Sequence, residues 1–317
     1  MDRPRRKQRT FYFGKRRSWG RWLMAAVFGV ILIVSSVKLI SYGVDYYNAQ
    51  QASASLREIY HAEEEPTAEA TNTPAPATPP TAAPTAPPEA GPTATPPTRL
   101  QPVRYPGNFY ANVSSRFQKV RRQNSDIIGW LTIDGLIDEA VVQRDNEYYL
   151  DRDYRGYHNV NGAIFLDETC DLDTRPYTLL LYGHNMKTGA MFGSLRNYEN
   201  LTFYRNNPFI TFDTAYEDGR YVIFAVATVS TTSGSWRYVD FTRLSSPVIA
   251  DRTNAISALH SRSIYRTQVD VAADDQLLLL VTCVDDDMER RVVAARRIRE
   301  DEDEATLEKL IRRTTKK

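Results

Sequence analysis

The chain has 317 residues, with 40 Lys+Arg against 39 Asp+Glu and a formal net charge of +1. So even a balance argues against a nucleic-acid binder as a whole-molecule reading, and two cysteines exclude a disulfide-rich scaffold and a four-cysteine zinc site. The balance hides an asymmetry, because residues 1–21 carry nine basic side chains and one acid, Asp2.

After this basic tail (1–21) comes an uncharged apolar run, Trp22–Val37, which extends to Val44 if Lys38 snorkels its ammonium to the interface. Trp19 and Trp22 at one end and Tyr42, Tyr46 and Tyr47 at the other resemble interfacial aromatic belts. We therefore read 22–44 as one transmembrane signal anchor. A cleavable signal peptide shares the basic and apolar regions, but no clear small-residue cleavage site precedes the tyrosines. Basic residues stay cytoplasmic, so the expectation is a single-pass plasma-membrane protein with its N-terminus inside and everything after Val44 outside.

Residues 45–106 are expected to connect anchor and head. The first part, 45–65, is polar and able to continue as a short juxtamembrane helix. From Pro66 to Pro106 the chain holds 13 of its 17 prolines. That composition buries no core and favours extended polyproline II, so the segment reads as a linker or stalk reaching on the order of 120 Å at ~3.1 Å per residue.

Residues 107–300 make one domain-sized unit. A helix is expected within Phe109–Ile128, where Phe109, Val113, Phe117 and Val120 fall at helical spacing. Strands then dominate: Ile127–Ile133, Glu139–Gln143, Tyr177–Tyr182, Phe209–Thr214 turning at Asp218-Gly219 into Tyr221–Val229, Gln276–Thr282 and Arg291–Arg296. A helix is expected from Ser246-Pro247 to about His260. Many strands with few helices predict a mostly β fold, a closed or nearly closed barrel. The charged stretch 301–317, despite helical spacing at Leu307, Leu310 and Ile311, reads as a solvated tail.

Two apolar strands end in residues of chemical interest. His184 follows Leu179-Leu-Leu-Tyr-Gly183, and Cys283 follows Leu277-Leu-Leu-Leu-Val-Thr282. A buried strand is a rigid platform for a side chain emerging just past its end. A nucleophilic cysteine needs a base or cation nearby and donors where an oxyanion develops, and Arg290 and Arg291 open the next strand. Taken singly, each residue has a blander explanation: a buried hydrophobe for the cysteine, a structural histidine, a solvated ion-pair cluster beside Asp285–Asp287. Cys170 and Cys283 are also able to pair as a disulfide outside the membrane.

The strings Asn124-Ser-Asp-Ile-Ile-Gly-Trp130, Val141-Val-Gln143, Asp145-Asn-Glu-Tyr-Tyr-Leu150, Leu181-Tyr-Gly-His-Asn-Met186, Met191-Phe-Gly193, Val281-Thr-Cys283 and Arg290-Arg-Val-Val-Ala-Ala-Arg296 resemble, in order, the motifs of class B sortases. That resemblance implies a sortase-type closed β-barrel with added helices, one at its start and one before the cysteine strand. It implies cysteine transpeptidation: Cys283 as nucleophile on a threonine carbonyl within the C-terminal sorting motif of an exported protein, His184 as general acid and base, and Arg290 holding substrate and oxyanion, with Arg291 the alternative register. The acceptor would be an amine of a cell-wall precursor or a pilin lysine, at a Gram-positive-type cell envelope. No metal or organic cofactor is implied. Val281 departs from the hydroxyl residue that often precedes Thr-Cys in the family. Cys170 is read as incidental. The rival readings are a non-catalytic stalked surface module with a Cys170–Cys283 disulfide, a papain-like wall hydrolase, which places Cys before His, and an L,D-transpeptidase, whose Ser-x-Gly-Cys is missing.

Overall fold

Eight strands, β1 (Ile127–Ile133), β2 (Ile137–Val142), β3 (Ile164–Leu166), β4 (Thr178–Tyr182), β5 (Phe209–Thr214), β6 (Arg220–Ser230), β7 (Leu277–Cys283) and β8 (Glu289–Arg297), close into a barrel in the order β7-β8-β6-β5-β1-β2-β3-β4. The computed structural model describes residues 19–62, 103–104, 113–172, 174–283 and 289–317. Closure comes from β4 and β7, which run parallel with Leu277 opposite Thr178 and Val281 opposite Tyr182. The long apolar runs in β6 and β7 follow from burial on both faces: Val222 to Ala227 and Leu277 to Val281 are all essentially solvent-free.

Helix α5 (Ile249–Arg262), expected from the sequence before the cysteine strand, is present and is tied to β6 by Ile264 N–H donating to Val226 O and Val226 N–H donating to Ser263 Oγ. Its Arg252 is fully buried and donates to the carbonyls of Ala273 (2.5 Å), Asp275 (2.7 Å) and Leu244. This buried guanidinium fastens α5 to the segment entering β7; burial pulls its pKa down to about 10.

Three expectations change. The helix expected within 109–128 is, among the described residues, α2 (Ser115–Arg121), capped by Ser114. It stops before Asn124, whose carboxamide oxygen accepts the Asp126 N–H in a local turn that redirects the chain into β1. The stretch 301–317 is not a solvated tail. It forms α6 (Glu304–Arg312), buries Leu307 and Ile311 against the core, and ends in a two-residue pairing of Thr315–Lys316 with Tyr265–Arg266.

The third change concerns the N-terminal helix α1 (Trp19–His61). The chain divides into two compact units, residues 1–47 and 48–317. In the first, the described part of α1 is apolar and exposed, long and apolar enough to cross a membrane. In the second, Asn48–His61 is part of the barrel's own unit rather than linker: Ala52, Leu56 and Tyr60, spaced four apart on one helix face, are buried with Phe117, Trp130 and Tyr154. The proline-rich stalk expected over 66–106 lies outside the described residues, apart from Val103–Arg104, which pairs with Thr174–Arg175.

Candidate active site

β4, β7 and β8 are consecutive in the barrel, and their ends bring the three sequence-picked positions together. His184 is two residues past Tyr182, the last residue of β4, and Gly183 N–H donates to Val281 O across to β7 (3.3 Å). Cys283 is the last residue of β7, and the antiparallel register sets its backbone directly opposite Arg290 of β8. The connection 284–288, with its acidic triplet, lies outside the described residues.

The segment around the half-buried His184 is held by two glycines with no room for a side chain. A Cβ on Gly183 would come within 2.9 Å of the Phe192 ring, and one on Gly193 would collide with the Met186 carbonyl oxygen. His184 O accepts from Phe192 N–H (3.0 Å), and Asn185 bridges to Met191. The Gly183-His184-Asn185-Met186 and Met191-Phe192-Gly193 strings are thus two sides of one tight loop that fixes the histidine's backbone.

The two arginines separate cleanly. Successive strand residues face opposite sides. Arg291 is nearly buried and is bound by Glu199, with Nη2 2.8 Å and Nε 3.2 Å from Oε1. Arg290 lies on the other face, in register with Cys283, and its Nη1 donates to the Glu289 carbonyl (3.0 Å). Its positive charge is felt by Tyr182, whose phenol is pushed up by burial and by the Asp167 carboxylate, while Arg290 pulls the other way. Tyr182 and Asp167 were not singled out from the sequence. The fact that Tyr182 ends an otherwise aliphatic strand was the available signal. Glu199 was missed as well, since nothing local links it to β8, 92 positions away.

Cys170 is a free, buried thiol. Burial pushes its pKa up to about 12, and its sulfur lies 3.4 Å from the Thr178 carbonyl. The disulfide of the rival reading is absent. A cavity of about 640 Å³ is at the opposite end of the same strands, lined by Tyr177, Gln276 and Arg297 among others. Its arginines are paired: Arg175 and Arg297 with Glu217, Arg220 with Glu304, and Arg299 with Asp275.

Comparison with known proteins agrees with this geometry. A family model described as "Sortase domain" matches residues 131–298. Sortase B of Listeria monocytogenes is 30% identical over 171 residues, covering 53% of this chain and 67% of that protein. Among solved structures, sortase B from Bacillus anthracis in complex with AAEK2 superposes with a TM-score of 0.59 at 27% identity, covering 81% of this chain and 98% of that one. A Staphylococcus aureus sortase B–substrate complex gives a TM-score of 0.53 at 26% identity, covering 61% and 88%.

Proposed function

The chain belongs to the sortase family, in its class B branch, and from that premise we propose that it is a membrane-held cysteine transpeptidase acting on exported proteins. The Cys283 thiolate adds to the backbone carbonyl carbon of a threonine in a C-terminal sorting motif. The resulting tetrahedral oxyanion is stabilised by the Arg290 guanidinium. As it collapses, the C–N bond breaks, His184 gives a proton to the leaving amine, and a Cys283 thioester remains. An incoming amine, from a cell-wall precursor or a pilin lysine, attacks the thioester and loses a proton to His184, and the C–S bond breaks to release the Cys283 thiolate. The reaction exchanges one amide for another and leaves the enzyme unchanged.

The observation that carries this reading is the adjacency of β4, β7 and β8, with His184 just beyond one strand end and Arg290 in register with Cys283. Arg290 is preferred to Arg291 because it stands in register with Cys283, whereas Arg291 lies on the other face of β8, where Glu199 binds it. The apolar part of α1 is assigned as a single-pass anchor, with residues 1–21 cytoplasmic and the barrel outside.

The test is intact-protein mass spectrometry of the full chain in detergent, mixed with a library of sorting-motif peptides and quenched in acid. A hydroxylamine-sensitive adduct on wild type, missing in Cys283→Ala, is the expected result, and the retained peptide mass identifies the motif. No adduct with any peptide would turn the assignment towards a surface module without turnover.

A further inference from the structure

Met191 is, among the described residues, the only one other than glycine with a positive φ. At φ 50° and ψ −124° it has the dihedrals of the first central residue of a type II′ turn, where glycine is the usual occupant because a Cβ is crowded there. Gly193 N–H closes the turn by donating to Ala190 O (2.9 Å). A strained residue of this kind persists only where its surroundings over-determine it, and such residues cluster at functional sites.

Two sets of contacts hold this one. On the backbone side, Asn185 pairs with Met191 and Phe192 N–H donates to His184 O (3.0 Å). On the side-chain side, Met191 packs against the barrel core. With Ser53 of α1, Glu139 and Ala140 of β2, and Ala163 and Ile164, it also lines a gap of about 20 Å³, room for about one water. The thioether chain therefore has little space in which to swing, and the backbone it belongs to is kept from relaxing to negative φ.

The consequence falls on His184. It lies past the end of β4, so its pairing with the turn supplies the fixing that the sheet no longer gives. A general acid and base has to stand within hydrogen-bond reach of the proton it moves. We propose that Met191 is a positioning residue for His184: its wedged side chain holds the Ala190–Gly193 turn in a conformation that few residues other than glycine adopt, and that turn sets where the imidazole stands relative to Cys283. The inference rests on the role assigned to His184 above.

The test uses the full chain in detergent with the library peptide that labels Cys283 fastest, following the acylation rate by intact mass against peptide concentration. Met191→Ala removes the wedge and keeps the penalty on positive φ, so the turn relaxes. Its limiting rate is expected to fall about tenfold, within the span that a small misplacement of a catalytic group costs, with the half-saturating peptide concentration unchanged. Met191→Gly removes still more of the side chain but takes positive φ freely, and is expected to stay within about threefold of wild type. That order separates positioning from packing, since lost packing alone makes the glycine variant the slower of the two. A Met191→Ala rate equal to wild type overturns the proposal, as does a Met191→Gly rate as low as that of Met191→Ala. Where Met191→Ala does not fold, a Met191→Gly rate about tenfold or more below wild type overturns it alone. A second readout needs no turnover: modification of His184 by diethyl pyrocarbonate, followed by peptide mass spectrometry, should quicken in Met191→Ala and match wild type in Met191→Gly. An unchanged modification rate in Met191→Ala overturns the inference even where no acylation is seen; absence of acylation from wild type alone sinks the transpeptidase assignment instead.

Discussion

Tyr60 stacks on Trp130 with ring centroids 4.1 Å apart and planes 4° from parallel, and its hydroxyl donates to Asp213 Oδ2 at 2.8 Å. The same helix segment sends Arg57 to the Asp138 carbonyl (2.6 Å), while Arg116 lies 5.2 Å over the Tyr60 ring. Trp130 donates its indole N–H to Asp138 (2.7 Å), so aromatic area and polar contacts close one interface. Residues 48–61 therefore complete the barrel's own unit. Tyr60→Ala is expected to cost about 3–5 kcal/mol, the range for deleting a buried aromatic. Tyr60→Phe, which strips a hydrogen bond from the buried Asp213, is expected to cost about 1–3 kcal/mol. Urea denaturation reads both. A chain begun at Asn48 should melt cooperatively and one begun after His61 should melt earlier; equal melting points would show that the helix is dispensable.

Arg290 and Arg291 make a second, sharper comparison. Removing a donor to the oxyanion typically costs about 10²–10³ in rate, so Arg290→Ala should lose acylation by that order, with Arg290→Lys retaining part because the charge remains without the planar fork. Arg291→Ala should slow acylation less than tenfold, because its guanidinium is engaged by Glu199 on the other face of β8. Peptide acylation rates decide, and a reversed ranking would move the oxyanion role to Arg291.

Cys170 should be chemically silent. With its pKa pushed up to about 12 by burial, roughly one thiol in 10⁴ is ionised at pH 8, and the thiolate is the reacting form. Iodoacetamide at pH 8 should label Cys283 alone in the native chain, with Cys170 labelled only in urea. Cys170→Ala should leave peptide acylation within twofold of wild type. Native labelling of Cys170 would show that its strand-side pocket opens.

How much of this was legible depended on whether a residue's partner was local. β4 and β7 were readable as strands because Leu179–Leu181 and Leu277–Val281 are uninterrupted apolar runs, and the strand ends then pointed to His184 and Cys283. The choice between Arg290 and Arg291 was not readable, since it depends on the register of β8 against β7 and on Glu199, far away in sequence. Ala52, Leu56 and Tyr60 carried a helical spacing that polar neighbours diluted, and only Trp130 and Asp213 explain why that face is buried. The same holds for Leu307 and Ile311: their stripe was visible, but the surrounding charge suggested solvent, because Glu304 is received by Arg220 of β6 and Glu302 by arginines of β8 and the residues just after it.

Those arginines make the C-terminal clamp acid-sensitive. Arg296 is fully buried and donates to both oxygens of Glu302 at 2.6 Å, while Arg299 forks onto Asp275 with two contacts of 2.8 Å and reaches Asp270 at 2.9 Å. Lys317 completes the closure by donating to the His260 and Ser261 carbonyls, both at 3.0 Å, at the end of α5, where a cation is favoured. Burial pushes the Glu302 and Asp270 carboxyls up, but the hydrogen bonds and charges of Arg296 and Arg299 outweigh it and hold both below the usual carboxylate range. Because the folded values lie below the unfolded ones, the stabilisation is fully present above the ordinary carboxylate pKa of about 4 and is lost as pH falls through the depressed folded values. Glu302→Gln should therefore destabilise the chain at pH 7 and approach wild type as pH falls below the ordinary carboxylate range, flattening the acid limb of stability against pH. Melting temperatures of both proteins at pH 7, 5 and 3 measure it, and a gap that stays constant across that range would mean that the Glu302 charge is not what fastens α6.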